Sequence, residues 1–179
     1  ESLEMGSLLV CNSENKGVGY CRNVIHRQSK GSFIAFFDQD DISHPARISL
    51  QFQRYCEARR RISSAVPLAC YCAGKKYYNG SNWLPILPIG QGVNIVDAKI
   101  LVRSTLVRES REIDLEVGSG TPCATAFFAV SDLNSVGGFD PDFRRVEDLE
   151  LVVRFAKQGG YCTAVPEDCV SQIHTTRGD

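Results

Sequence analysis

Three carboxylates crowd the end of an apolar run. The stretch "FIAFFDQDDISHP", residues 33–45, carries Asp38, Asp40 and Asp41, separated only by Gln39. Like charges this close repel, so a folded chain holds them beside a buried strand only with a counter-charge. Clustered hard oxygen donors suit Mg²⁺ or Mn²⁺, and magnesium takes one or two carboxylates and fills its shell with water and substrate phosphates. The alternative is a solvated turn before a helix, where the helix dipole favours aspartate. The apolar run leading into the cluster favours a site.

Two further features bear chemistry-capable residues. In "NKGVGYCRN", residues 15–23, Gly17 and Gly19 lead into a helical pattern with Arg22 one turn in. A glycine loop at a helix start can cradle a phosphate and an arginine can clamp it, although glycines also simply punctuate loops. Glu147 and Asp148, followed by Glu150, open a second helical pattern. Acids in a first turn are stabilising by themselves, so spacing alone reads this pair as structural. His174, near the C-terminus, reads by default as a surface or edge-strand histidine.

The elements that would position these residues alternate. "SLLVC" (7–11) reads as a short buried strand, residues 19–29 as a helix with Cys21, Val24, Ile25 and Gln28 on one face, and "SFIAFF" as a strand buried on both faces. Pro45 suits a first helical turn capped by Ser43 or His44, and Ile48, Phe52, Tyr55 and Cys56 repeat at helical spacing to about Arg61. "AVPLACYCA" is a strand, residues 74–96 a loop with a hairpin, and 98–113 a mixed-charge segment compatible with helix. After the loop "GSGTPC" come a strand near 124–130, a short helix and a glycine turn. A helix over 147–158 then turns Leu149, Val152, Val153 and Ala156 inward, and "YCTAVP" and "CVSQIH" close the chain as two short strands. This order predicts one α/β domain over residues 1–179 with a mixed, largely parallel sheet flanked by helices. Ligands of such sheets bind outside the carboxyl ends of strands, and Asp38 falls at one.

Bulk properties exclude several classes. The chain has 179 residues, long enough for one buried core, with 43% hydrophobic and 23% charged residues. A formal net charge of -1 argues against nucleic-acid binding through a broad basic surface, and Arg59-Arg60-Arg61 reads as a solvated helix end. No apolar run is long enough to span a membrane, and the opening "ESLEMG" lacks signal-peptide character. The eight cysteines include no C-x-x-C pair and several sit in apolar strand-like runs, which predicts a reduced, cytoplasmic setting rather than a disulfide framework. The sequon at Asn79 would matter only in a secreted chain.

Taken in order, "NKGVGYCRNV", "GSFIAFFDQDDISHPARISLQ" and "VGGFDPDFRRVEDLELVVRFAKQGG" resemble the family 2 glycosyltransferases of GT-A fold. That family shows a glycine loop before an Arg-Asn pair, a strand ending in D-x-D-D followed by Pro and Arg, and a "GGFD" turn before a Glu-Asp helix. The resemblance implies inverting sugar transfer from a nucleotide-sugar, a UDP-sugar, to a saccharide or other hydroxyl acceptor. It implies Asp40 as the metal-binding acid, Asp38 towards the ribose and diphosphate, and Asp41 towards the metal or donor sugar. Asp148 would be the general base, with Glu147 binding the acceptor or orienting the base, and Asn15 and Arg22 in the nucleotide-contacting segment. His174 would help hold the metal or diphosphate. The family's two opening strands, with their Asp-rich turn, have no counterpart here. The chain therefore resembles the C-terminal two-thirds of the usual domain, with an exposed sheet edge expected.

Two rival readings follow from the same residues. A phosphatase of the haloacid dehalogenase type would use Asp38 as nucleophile and Asp40 as acid/base, but Ile42 stands where it wants Thr or Val. A degenerate transferase fragment acting as a binding module is the other.

Overall fold

In the computed structural model the described residues are 6, 9–78, 82–91, 95–102 and 120–174. Helix α1 (Val18–Gln28) leads to strand β1 (Phe33–Ala35), the acidic loop, and the short strand β2 (Ile42–Ser43). Helix α2 (Arg47–Arg59) precedes a hairpin of β3 (Leu68–Tyr78) and β4 (Asn82–Ile86), then β5 (Val96–Asp97) and the single turn α3 (Lys99–Val102). A 3₁₀ turn (Cys123–Thr125) enters β6 (Phe127–Ala129), followed by α4 (Val130–Ser135), α5 (Glu147–Lys157) and the long β7 (Tyr161–His174).

The sheet runs β1-β6-β3-β7-β2, with β4 added to β3 and β5 to β7. It is mixed, as expected, but less parallel than the alternating pattern predicts. Among the described residues only β3 and β7 pair parallel, while β1/β6, β2/β7, β3/β4, β3/β6 and β5/β7 are antiparallel. The parallel ladder is nevertheless the spine, running from Leu68↔Tyr161 to Tyr78↔His174. β7 replaces the two short strands expected: Pro166, Glu167 and Cys169 are bulged out of the ladder and the strand resumes beyond them, a device that tolerates a proline lacking its ladder N–H. Among the described residues β1 pairs only with β6 and so forms one edge of the sheet. The strand expected over 7–11 is absent from residues 9–11, which are irregular and exposed, and residues 7 and 8 lie outside the described set. The helix considered over 98–113 is observed at Lys99–Val102, and 103–113 lie outside the described residues, as does Asn79.

Two apolar clusters pack on opposite faces. One joins Ile34, Phe36, Tyr71, Phe128 and Phe139 to Leu151, Val152 and Phe155 of α5. The other joins Leu68, Cys70, Cys72, Phe127 and Val165 to Tyr55 and Ala58 of α2. The helix faces differ from those the apolar spacing predicts. α2 buries Arg47, Gln51, Tyr55 and Ala58, whereas Ile48 and Phe52 are exposed. α1 buries Gly19, Arg22 and His26 and exposes Ile25. Both helices turn polar side chains inward because partners are waiting for them there. All eight cysteines are free, five of them buried. Among the described residues, no helix is long and apolar enough to cross a membrane.

Candidate active site

The counter-charge to the acidic loop is an arginine. Arg22, on the inward face of α1, is 7% exposed. Its Nη1 donates to Glu147 Oε1 at the start of α5, and its Nη2 lies 3.5 Å from Asp38 Oδ1. The guanidinium lies against a pair of touching rings, 5.7 Å from the Phe36 centroid and 5.6 Å from that of Phe139, so cation–π attraction adds to the ion pairs. Burial opposes the charge on Arg22, but Cys123, Glu147 and Asp38 outweigh it and hold its pKa above the usual value. Arg22 thus joins the first acidic cluster to the second, whose Glu147 lies 125 positions along the chain from Arg22.

The start of α5 is held by the neighbouring motifs. Gly137 and Gly138 both adopt left-handed backbone (φ 83° and 75°), which glycine takes without steric cost. The following residue, Phe139, is clamped by Asn23: its N–H donates to Asn23 Oδ1 at 2.8 Å, and Asn23 Nδ2 donates to its carbonyl at 2.6 Å. Arg154 closes the turn from the other side, donating to the carbonyls of Val136 and Gly138 and forming a two-pronged pair with Glu150 (2.6 and 2.5 Å). Glu150 is therefore structural. Val146, immediately before the Glu-Asp pair, has φ 55°. A β-branched residue in that region is strained, and such strain persists where surrounding structure over-determines it.

Asp148 lies beside this bridge, half-buried, with Oδ1 accepting the Leu149 N–H at 2.8 Å. Burial pushes its carboxyl pKa up; the Leu149 amide pulls it back and adjacent Glu147 raises it again. Burial likewise pushes the Cys123 thiol far up, and that thiol lies within the electrostatic reach of Arg22, Asp148, Glu147 and Asp38. A carboxylate whose pKa is raised by desolvation beside a fixed ion pair is the kind of group that marks a functional site.

Residues 5–130 match the sequence pattern described as "Glycosyl transferase family 2". The chain belongs to that family. The match takes in Arg22 and the acidic loop, whereas Glu147 and Asp148 lie beyond its end. Solved structures of S. aureus TarS share the fold. The 1–349 form in complex with UDP-GlcNAc has a TM-score of 0.61 at 17% identity over 91% of this chain, and the complex with UDP has 0.60 at 18% over 89%. TarS itself gives 0.59 at 15% over 89%. This family 2 chain spans 40% and 41% of the two complexes and 25% of TarS.

The remaining sequence candidates are placed unevenly. Asp38 and Asp40 are exposed and Asp41 half-buried in a turn closed by Asp41 N–H to the Asp38 carbonyl (3.2 Å). Asp41 lies within the electrostatic reach of Arg47. Asn15 is exposed and its Oδ1 accepts the Gly17 N–H at 3.0 Å, so in this state it shapes the glycine loop. The backbone of His174 ends β7, but its side chain lies outside the described residues. Among the described residues no three His, Cys, Asp or Glu converge as a closed metal site. The donor set fits a different kind of ion: two exposed hard-oxygen carboxylates, Asp38 and Asp40, suit Mg²⁺ or Mn²⁺ that takes its other ligands from water and a diphosphate.

Apolar periodicity missed Arg47 and Gln51. Arg47 is 1% exposed and donates to Gln51 Oε1 (2.9 Å), Ser43 Oγ (3.0 Å) and the Phe36 carbonyl (3.1 Å), with its guanidinium 4.5 Å from the Phe37 ring centroid. Gln51, fully buried, donates to the carbonyls of Thr125 (2.8 Å) and Cys70 (3.3 Å). Arg47 therefore fastens both ends of the acidic loop. The i, i+4 spacing shows that the two share a helix face, but not that this face turns inward.

Proposed function

We propose that this protein is an inverting, cation-dependent glycosyltransferase that moves a sugar from a UDP-sugar to a hydroxyl of a saccharide acceptor in polysaccharide synthesis. The observation that carries the reading is the Arg22 bridge, which gathers a carboxylate of the D-x-D-D loop and the Glu-Asp start of α5 around one buried guanidinium. Family membership and the likeness to TarS structures holding UDP and UDP-GlcNAc support a nucleotide-sugar donor. Eight free thiols support a reduced, cytoplasmic site of action.

The residues divide the work. Asp38 and Asp40 hold the divalent cation, with His174 as a further ligand, and Asp41 faces the donor sugar. Bound there, Mg²⁺ or Mn²⁺ supplies positive charge against the negative charge developing on the departing diphosphate. Asp148 accepts the proton of the acceptor hydroxyl as its oxygen bonds to the anomeric carbon and the bond from that carbon to the diphosphate breaks. Glu147 is committed to Arg22, which assigns it to orienting the base rather than gripping the acceptor. Asn15 and the glycine loop approach the nucleotide.

Titration of UDP in the presence of Mn²⁺ tests the donor half. Asp40→Asn is expected to lose Mn²⁺-dependent UDP binding and sugar transfer together, while Asp148→Asn keeps the binding. UDP binding that is indifferent to both Mn²⁺ and Asp40 would refute the cation role.

A further inference from the structure

Arg22 makes two contacts of unlike character. Towards Glu147 it is enclosed, with side-chain exposures of 9% and 12%; towards Asp38 the partner is 45% exposed and the separation is 3.5 Å. The strong, desolvated bond belongs to the α5 side, and the weaker, solvent-facing one belongs to the loop. The enclosed bond to Glu147 anchors the guanidinium, with Phe36 and Phe139 beside it, so it stays with Glu147 if Asp38 is drawn to another charge.

We propose that Arg22 is the resident counter-ion of the acidic loop, holding Asp38 until a divalent cation displaces it and keeping Glu147 throughout. The inference rests on Asp38 being a cation-facing carboxylate. It gives Arg22 a task that phosphate clamping does not include: it neutralises the loop when no donor is present, and its bond to Asp38 is broken when the cation arrives. A partly exposed ion pair is weak enough to yield to a divalent ion, whereas the buried one is not. Cation binding is then opposed by Arg22, although the same residue orders the site.

The test is titration with Mn²⁺ alone, followed by the electron paramagnetic resonance signal of the free ion. In Arg22→Gln/Glu147→Gln the counter-ion and its buried partner leave together, the net charge is unchanged, and Asp38 is released. Mn²⁺ affinity is expected to rise by about two- to fivefold, the worth of a partly exposed pair. Glu147→Gln alone leaves Arg22 with Asp38 as its carboxylate partner, and affinity is expected to fall by about the same factor. Arg22→Lys/Glu147→Gln should lie nearer the single variant than the neutral double, because the competing charge is kept. Opposite signs for the double and single variants cannot come from general loosening of the fold, which lowers both. Where the double variant fails to fold, Arg22→Gln alone takes its place: Mn²⁺ affinity should rise once the competing charge is gone, and a fall overturns the counter-ion role. Loss of Mn²⁺ binding in Asp38→Asn with no opposite movement in these variants overturns the counter-ion role alone. Mn²⁺ binding that survives Asp38→Asn overturns the cation site, and the counter-ion role with it.

Discussion

Asp148→Asn should separate activity from stability in opposite directions. The substitution keeps shape, and an Asn side-chain oxygen can still accept the Leu149 N–H that Asp148 Oδ1 accepts at 2.8 Å. What it removes is a charge that burial already penalises and that Glu147 repels, with the nearby Arg22 committed to Glu147 and Asp38. Loss of a general base costs about 10²–10⁴ in turnover, or roughly 2.7–5.5 kcal/mol of barrier. Folding should gain, by about 0.5–1 kcal/mol, as is common when a functional site is relieved of an unfavourable group. The sign with pH follows from the raised carboxyl pKa. The protonated form is favoured in the fold, so Asp148 supports stability below its unfolded pKa and loses that support as pH rises through the folded one. The gain from Asn is therefore present near neutral pH and fades in acid, while turnover of the unaltered protein falls as acid protonates Asp148. Steady-state sugar transfer against pH, with urea unfolding of both forms at neutral and acid pH, reads all three. A variant that keeps more than about a tenth of normal turnover, or is destabilised by more than about 1 kcal/mol at neutral pH, would refute Asp148 as a strained base.

Two more predictions probe the frame. Arg47→Met leaves at least two buried acceptors, the Phe36 carbonyl and Gln51 Oε1, without their donor; at roughly 1–3 kcal/mol each, about 3 kcal/mol should be lost, a urea midpoint lower by about 1.5 M, and a change under about 0.5 M would count against the network. Gly138→Ala should cost more than Gly137→Ala in the same assay: both take left-handed strain of about 1–2 kcal/mol, but a Cβ at 138 would lie 2.6 Å from Asn23 Oδ1, whereas at 137 nothing stands within 4 Å. Equal losses would mean that the Asn23 clamp on Phe139 does not hold the turn.

Much of this was legible in local sequence, and the remainder fails for identifiable reasons. The extents of α1, α2 and α5 followed from periodicity, Pro45 and the terminal glycines, because those signals act within a few residues. Their inward faces did not follow. Arg22, Arg47 and Gln51 are buried by partners from the acidic loop and Phe36 before it, β3, the 3₁₀ turn and α5, none of which helical spacing can reveal. Likewise, β1 pairs antiparallel with β6, Phe33 opposite Ala129, and no local cue announces a partner so distant. Two short closing strands were expected, and the pairing does slip after Val165, but a bulge absorbs the irregularity, so β7 continues as one strand. The acids were recognised by type and order. Their counter-charge was not, because a cation and an arginine answer the same electrostatic demand and sequence alone does not choose between them.

The two buried arginines show why the loop needs both. Arg47 grips backbone and hydroxyl oxygens at its ends, Phe36 and Ser43, and so fixes where the loop starts and stops without spending the loop's charge. Arg22 grips a carboxylate inside it and hands the opposite prong to Glu147. Asp40 is left exposed at the turn between these fixed points. A flexible acidic loop would have to pay ordering entropy each time a cation and diphosphate arrived. Holding its ends by neutral acceptors, and Asp38 by a displaceable charge, removes most of that cost while keeping Asp40 exposed to bind. The same arginine fixes the start of α5, so the cation side and the base side are registered through a single rigid group, as chemistry between two reactants requires.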